Sequence, residues 1–180
     1  EAEGLSSPLP SLQFAQTTRS GNEAGGRHHR AGGETTPIIL HPCRNDDIEA
    51  VLALWRRAEA VPRPTDNAAA LRLRLERDAE LFQLAWDGER LAGTLLGGWD
   101  GWRGNMYRLA IDPAYRRRGV ARLLVTAVEA ALRAKGCERI TSLVFENEPR
   151  AAEFWLSAGY APDPATRRYA KDLRYPRGRS

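Results

Sequence analysis

With 180 residues, 42% of them hydrophobic, the chain can bury one sizeable core and falls in the range of about 100–200 residues usual for a single domain. It contains no apolar run approaching the roughly 18 residues of a membrane-spanning helix. It also has no apolar leader, and Cys43 and Cys137 lack metal-ligand spacing, so a soluble, cytoplasmic protein with reduced thiols and no metal site is expected.

The net charge of +4 does not by itself point to nucleic acid. Residues 1–37 hold three arginines against four glutamates, and the excess lies later, around Arg116, Arg117, Arg118 and Arg122 and in a basic tail over 175–180. Between Phe14 and Ile38 there is no large apolar residue, and such a stretch cannot bury enough surface to offset the entropy of ordering it. Residues 1–36 are therefore expected to be disordered, with the folded domain over 37–174.

In chain order, Ile38–Leu40 reads as a short strand, followed by Asn45-Asp46-Asp47 as a cap and acidic first turn. Ile48, Val51, Leu52 and Trp55 give the following helix one apolar stripe, which Pro62 and Pro64 end. A second helix is expected over 68–77, with Leu71 and Leu75 on one face. Two strands, 82–86 and 91–96, flank the hairpin signal Asp87-Gly88. Another strand, 106–111, stops at Asp112-Pro113, which is turn chemistry. From Val120 the apolar positions Val120, Leu123, Leu124, Ala127, Val128, Ala131 and Leu132 repeat at helical spacing, and Lys135-Gly136 supplies a cation and a C-terminal cap. A strand over 140–145, a helix over 150–157 and a last strand near 167–173 complete the order β-α-α-β-β-β-α-β-α-β.

Between the third of these adjacent strands and its helix lies Arg116-Arg117-Arg118-Gly119-Val120-Ala121-Arg122. The first N–H groups of a helix have no intrahelical partner and sit at the positive end of its dipole, so they attract anions. Gly119 lets the backbone approach closely, and the arginines add charge-assisted hydrogen bonds. Strand, glycine-containing turn and capped helix occur in the order that a pyrophosphate cradle requires.

The run Arg116-x-x-Gly119-x-Ala121 resembles the acyl-CoA loop of the GCN5-related N-acetyltransferase (GNAT) superfamily. The later run Asn147-Glu148-Pro149-Arg150-Ala151-Ala152-Glu153-Phe154-Trp155-Leu156-Ser157-Ala158-Gly159-Tyr160 is similar to that superfamily's second motif, an Asn-initiated helix ending in an aromatic pair and Gly-Phe/Tyr. The resemblance extends over residues 38–173, and Gly97–Gly104 looks closest to the small bacterial YpeA-like branch.

The resemblance implies an α/β fold with a mixed, mostly antiparallel twisted sheet of six to seven strands, about four helices, and a V-shaped splay between the fourth and fifth strands. It implies acetyl-CoA as cofactor and transfer of an acetyl group to a primary amine by direct attack in a ternary complex. The alternative is a weakly catalytic or non-catalytic module that senses acyl-CoA. The implied partners are acetyl-CoA and an amine acceptor, with no nucleic acid or membrane, in a monomer or homodimer.

On this resemblance the cofactor lies against Leu109, Ala110 and Ile111 of the central strand, Arg116 to Arg122, Asn147 and Trp155. A backbone N–H near Leu109 or Ala110 supports the oxygen on which charge develops. Glu146 and Asp100 are the candidates for the base that deprotonates the amine, with Tyr107 a further one, inward aromatic packing being the role expected first for it. Many family members carry Tyr where this chain has Trp155, and an indole has no acidic O–H. Tyr160 or solvent is then the proton source for the departing thiolate, whose pKa of about 8.5 makes the need for an acid modest. Trp55, Asp66, Trp99, Trp102 and Arg103 are the candidates for lining the acceptor pocket, core packing being the other role open to the tryptophans.

Overall fold

The computed structural model describes residues 37–145 and 148–171, and the chain divides after Leu143 into two compact units. The tails expected over 1–36 and 175–180 lie outside the described residues.

The first unit is built on strands β1 (Ile39–Pro42), β2 (Phe82–Asp87), β3 (Arg90–Trp99), β4 (Gly104–Ile111) and β5 (Ile140–Ser142), hydrogen-bonded in that order. The first three pairings are antiparallel and the last, β4 with β5, is parallel. Helices α1 (Ile48–Arg57) and α2 (Ala68–Asp78) precede β2, and α3 (Val120–Ala134) joins β4 to β5. Alternate residues of β3 point to opposite faces. Thr94 meets Trp55 of α1 on one face, while the Cα of Gly93 and Gly97 approach Val120, Leu124 and Val128 of α3 on the other. The sheet is thus covered on both sides, with Val51, Leu54, Leu84 and Leu96 buried on the α1 face and Val120, Leu124, Val128 and Leu132 buried in α3.

Local chemistry explains most boundaries. Ahead of α1, Asn45–Asp47 form a turn of 3-10 helix in which Asp47 rather than Asn45 makes the capping bond, accepting the Arg44 N–H at 2.8 Å; α1 itself starts without a side-chain cap bond. The β2–β3 hairpin has Asp87 opposite Arg90, so its two turn residues are Gly88, at φ +56°, and Glu89. Helix α3 ends as its sequence predicts: Gly136 takes φ +84°, and the Cys137 and Gly136 N–H groups bond back to Leu132 and Arg133.

Three expectations are corrected. The sheet has five strands among the described residues, not six to seven. The fifth stops at Ser142 instead of reaching Phe145, and no strand forms over Arg167–Lys171. That last segment carries three cations and an exposed Tyr169, so it lacks the alternating apolar face that stabilises a strand.

The second unit holds α4 (Pro149–Ser157). Its cap position is Glu148, followed by proline at the first helical position; Asn147, expected to cap it, lies outside the described residues, as does Glu146. Gly159 at φ +93° ends the helix, and the Tyr160 N–H returns to the Trp155 carbonyl at 3.0 Å.

Cys43 and Cys137 are unbridged and buried, and burial pushes the Cys43 thiol up to about 12, so it packs as a small apolar group.

Candidate active site

Strand β4 carries the centre of the site. Thr94 pairs with Ala110 and Leu96 with Tyr107, so Arg108 and Leu109 together oppose Leu95. This two-against-one arrangement is a β-bulge, which kinks the strand and turns backbone groups out of the regular ladder. Arg108 sits in it at φ +55°. On the other edge, pairing with β5 covers only Gly104, Asn105 and Met106. Leu109, Ala110 and Ile111 therefore have no β5 partner. Strand β5 ends opposite Met106, two residues before the bulge, so the expected V-shaped splay is met here as an open β4 edge next to a short β5.

Past Ile111, a turn of 3-10 helix (Pro113–Tyr115) leads to the arginine loop. Two buried side chains hold it. Asp112, 2% exposed, accepts from the Ala114 N–H at 3.0 Å, from Arg57 Nε at 3.2 Å and from Arg90 Nη2 at 3.2 Å. Its burial would raise its pKa, but the Ala114 N–H and the two guanidiniums outweigh that and hold the carboxyl below its ordinary value. Tyr115 donates to Asp87 at 2.8 Å, which raises its own pKa, and its ring contacts the Arg90 and Arg118 guanidiniums, 5.4 and 5.3 Å from its centroid.

The loop itself has the form of an anion nest. Arg117 at φ +64° and Gly119 at φ +81° are left-handed, a pattern that aims successive N–H groups inward. Gly119 is the N-cap of α3 and has no side chain to satisfy the first-turn N–H groups. A Cβ built on it meets nothing within 4 Å. The residues present therefore fit a pyrophosphate: open space, a helix N-terminus, and Arg117, Arg118 and Arg122 beside it. Val120 is buried and Ala121 half-buried as the first residues of the helix. Arg116 turns back to the carbonyl of Ala58 at 3.3 Å.

The residues named for the acceptor side divide into two groups. Trp55 and Asp66 come together beneath the bulge. Trp55 is only 4% exposed and donates from Nε1 to Thr94 Oγ1 at 2.9 Å, so it supports the strand instead of forming an open wall. Asp66 is paired with Arg108. Trp99 and Asp100, with Asn105 and Tyr107, line a cleft of about 220 Å³ that also touches Arg74, Arg77 and Asp78 of α2. Tyr107 is 41% exposed there, against an inward packing role. Asp100 accepts from the Trp102 and Arg103 N–H groups at 2.8 and 2.6 Å, which lowers its pKa; it is ionised at neutral pH and a weak base. Trp102 is 71% exposed, with Arg103 stacked 4.1 Å over its ring. In the second unit, Trp155 is buried and meets the ring of Tyr160 edge-on at 4.7 Å and that of Phe154 at 5.3 Å.

Sequence reasoning did not single out Arg108, Thr94, Asp112 or Tyr115 as parts of the site. Asp112 was legible as a turn residue, but its arginine partners come from positions 55 and 22 residues away. A left-handed arginine inside a strand has no sequence signal.

Residues 48–160 match the model of the acetyltransferase (GNAT) family. An acetyltransferase of Pectobacterium atrosepticum is 36% identical over 104 residues, 58% of this chain and 74% of that protein. The fold is shared with Ard1 from Thermoplasma volcanium, at TM-score 0.63 and 18% identity over 69% of this chain and 82% of that one. It is also shared with the PaiA N-acetyltransferase from Thermoplasma acidophilum, solved with coenzyme A, at TM-score 0.60 and 15% identity over 67% and 87% of the two chains.

Proposed function

Because the chain belongs to the acetyltransferase (GNAT) family and acetyl-CoA is therefore its acyl donor, we propose that it is an N-acetyltransferase that moves the acetyl group directly to a primary amine. The observation that carries this reading is the juxtaposition on one strand of a bulge at Arg108-Leu109, an edge freed from β5 at Leu109–Ile111, and the nest that follows it.

Acetyl-CoA supplies an activated thioester. The chain's residues have three tasks toward it. The N–H groups from Arg117 to Arg122, with their guanidiniums, hold the pyrophosphate. Leu109 and Ile111 offer backbone groups to an extended pantetheine arm as a strand edge does to an added strand. The N–H of Leu109 or Ala110, presented by the bulge, faces the oxygen on which negative charge develops; a preorganised donor of this kind contributes about 2.7–4 kcal/mol elsewhere.

The incoming ammonium must lose a proton before it attacks. We assign that step to a carboxylate, either Glu146 or, relaying through solvent because its own basicity is low, Asp100, with Tyr107 lining the Asp100 cleft. Tyr160 beside Trp155, or water, returns a proton to the thiolate. Trp99, together with Trp102 and Arg103, contributes to acceptor recognition.

The test is a calorimetric titration with acetyl-CoA on the wild-type protein and on Gly119→Glu, followed by thiol release with a panel of primary amines. Gly119→Glu places a side chain and a negative charge in the nest at a left-handed position. Saturable binding that the variant weakens at least tenfold, with thiol release that Asp100→Asn or Glu146→Gln reduces, is the expected outcome. Absence of binding to the wild type overturns the cofactor site. Binding without thiol release from any amine leaves an acyl-CoA sensor in place of the enzyme.

A further inference from the structure

Within the acetyl-transfer reading, on which this rests, we infer that Arg108 is a positioning residue: it latches the segment between α1 and α2 onto the β4 bulge, and so fixes together the acceptor-side wall and the backbone N–H groups beside it.

The starting point is an arginine at φ +55°, a conformation in which a non-glycine side chain is unfavourable and which needs compensation from its surroundings. The compensation is specific. Arg108 Nη1 donates to the Val61 carbonyl at 2.9 Å, and Nη2 pairs with the Asp66 carboxylate. Its guanidinium lies 5.2 Å from the centroid of the Trp55 ring. Asp66 in turn accepts from the Arg63 N–H at 2.7 Å. One guanidinium thus ties both ends of the 61–66 segment to the strand.

The main chain of the same residue is held from beneath. Thr94, fully buried, donates from Oγ1 to the Arg108 carbonyl at 3.3 Å and accepts from the Trp55 indole at 2.9 Å. Side chain and carbonyl of Arg108 are therefore both fixed, by partners in different elements. The peptide that follows, which carries the Leu109 N–H, has its orientation set by these contacts. The nest at Arg117–Gly119 is anchored separately, through Asp112 and Tyr115, so loosening Arg108 leaves the pyrophosphate site in place.

Three variants of the full chain separate the latch from general stability. Arg108→Asn removes the guanidinium with a residue that tolerates the left-handed conformation. Arg108→Lys keeps one charge without the fork, and Asp66→Asn alters the partner. Amide hydrogen exchange over residues 59–67 and 107–110 is measured without ligand, acetyl-CoA affinity by calorimetry, and kcat and KM with whichever of spermidine, lysine amide and kanamycin the wild-type protein acetylates fastest.

In Arg108→Asn, exchange over 61–67 is expected to rise at least tenfold and kcat/KM to fall at least tenfold, with acetyl-CoA affinity within about twofold of wild type. Arg108→Lys should recover part of both losses, and Asp66→Asn should show the same pattern more weakly. Unchanged exchange over 61–67 overturns the latch, as does a loss of acetyl-CoA affinity equal to the loss of kcat/KM. If no amine is acetylated, the enzyme reading fails, while the exchange measurement still decides whether Arg108 holds the segment.

Discussion

At the scale of single residues, Asp112 combines burial with three bonds, and its energetics can be separated by pH. Asp112→Asn keeps an oxygen for the Ala114 N–H but removes the charge that faces Arg57 and Arg90. Because both arginines are about half exposed and retain solvent, the loss at neutral pH is expected near the ordinary range of about 1–3 kcal/mol for a buried charged hydrogen bond. The folded-state pKa of Asp112 is lowered, so its contribution is fully present above the unfolded-state pKa of about 3.9 and disappears as pH falls through the lower folded-state value. Urea unfolding at pH 7, 4 and 3 checks this: the gap between wild type and variant should narrow only at the acid end, and a constant gap contradicts the assignment. Asp112-Pro113 was readable as a turn. The two arginine partners were not, because nothing local in a sequence joins position 112 to positions 57 and 90.

At the scale of elements, the contact between β3 and α3 sets where the nest stands relative to the sheet. A Cβ on Gly97 falls 2.6 Å from Val128 Cγ1 and 3.1 Å from the Leu81 carbonyl oxygen, neither of which is the end of a flexible chain. Gly97→Ala should therefore cost about 1–3 kcal/mol through overpacking. Gly98→Ala, whose Cβ first meets the half-exposed ring of Tyr107 at 3.1 Å, should cost less. Adding Val128→Ala to Gly97→Ala makes room for the new methyl, so the double variant should lose less stability than the two single losses combined. Denaturant melts of the four variants decide it, and strict additivity contradicts the packing account. The helices were legible because α3 carries one apolar stripe and a glycine stop, and the β2–β3 hairpin because a turn signal separates two apolar runs. The bulge in β4 was not legible, since it consists of a register change against β3 and appears only when both strands are in place. No strand forms over the described part, 167–171, of the one expected near 167–173: an aromatic residue among cations suggests a strand locally but supplies no buried face.

At the scale of the whole molecule, the excess positive charge and the fold point to the same place. The geometry of the proposed cofactor loop was legible because its requirements are local: an uncapped helix start, a left-handed glycine, and cations within a few residues. The acceptor side was read only partly, since Trp55 and Asp66 serve Arg108 and the strand, and contacts of that kind depend on how α1, α2 and β4 meet. The local nature of the nest gives a test on the intact protein. A ligand that binds only the folded state at 100 times its Kd adds about 2.7 kcal/mol, which for a chain of this size corresponds to a rise in Tm of about 5–10 °C. Acetyl-CoA should produce such a rise, and S-acetylpantetheine, which has the thioester but no pyrophosphate, should produce far less. Raising salt from 0.15 M to 1 M shortens the Debye length from about 8 to 3 Å, so the acetyl-CoA shift should shrink while any shift caused by the pantetheine arm alone should not. Equal shifts from the two ligands, or a shift indifferent to salt, would place the binding energy along the Leu109–Ile111 edge and away from the arginine nest.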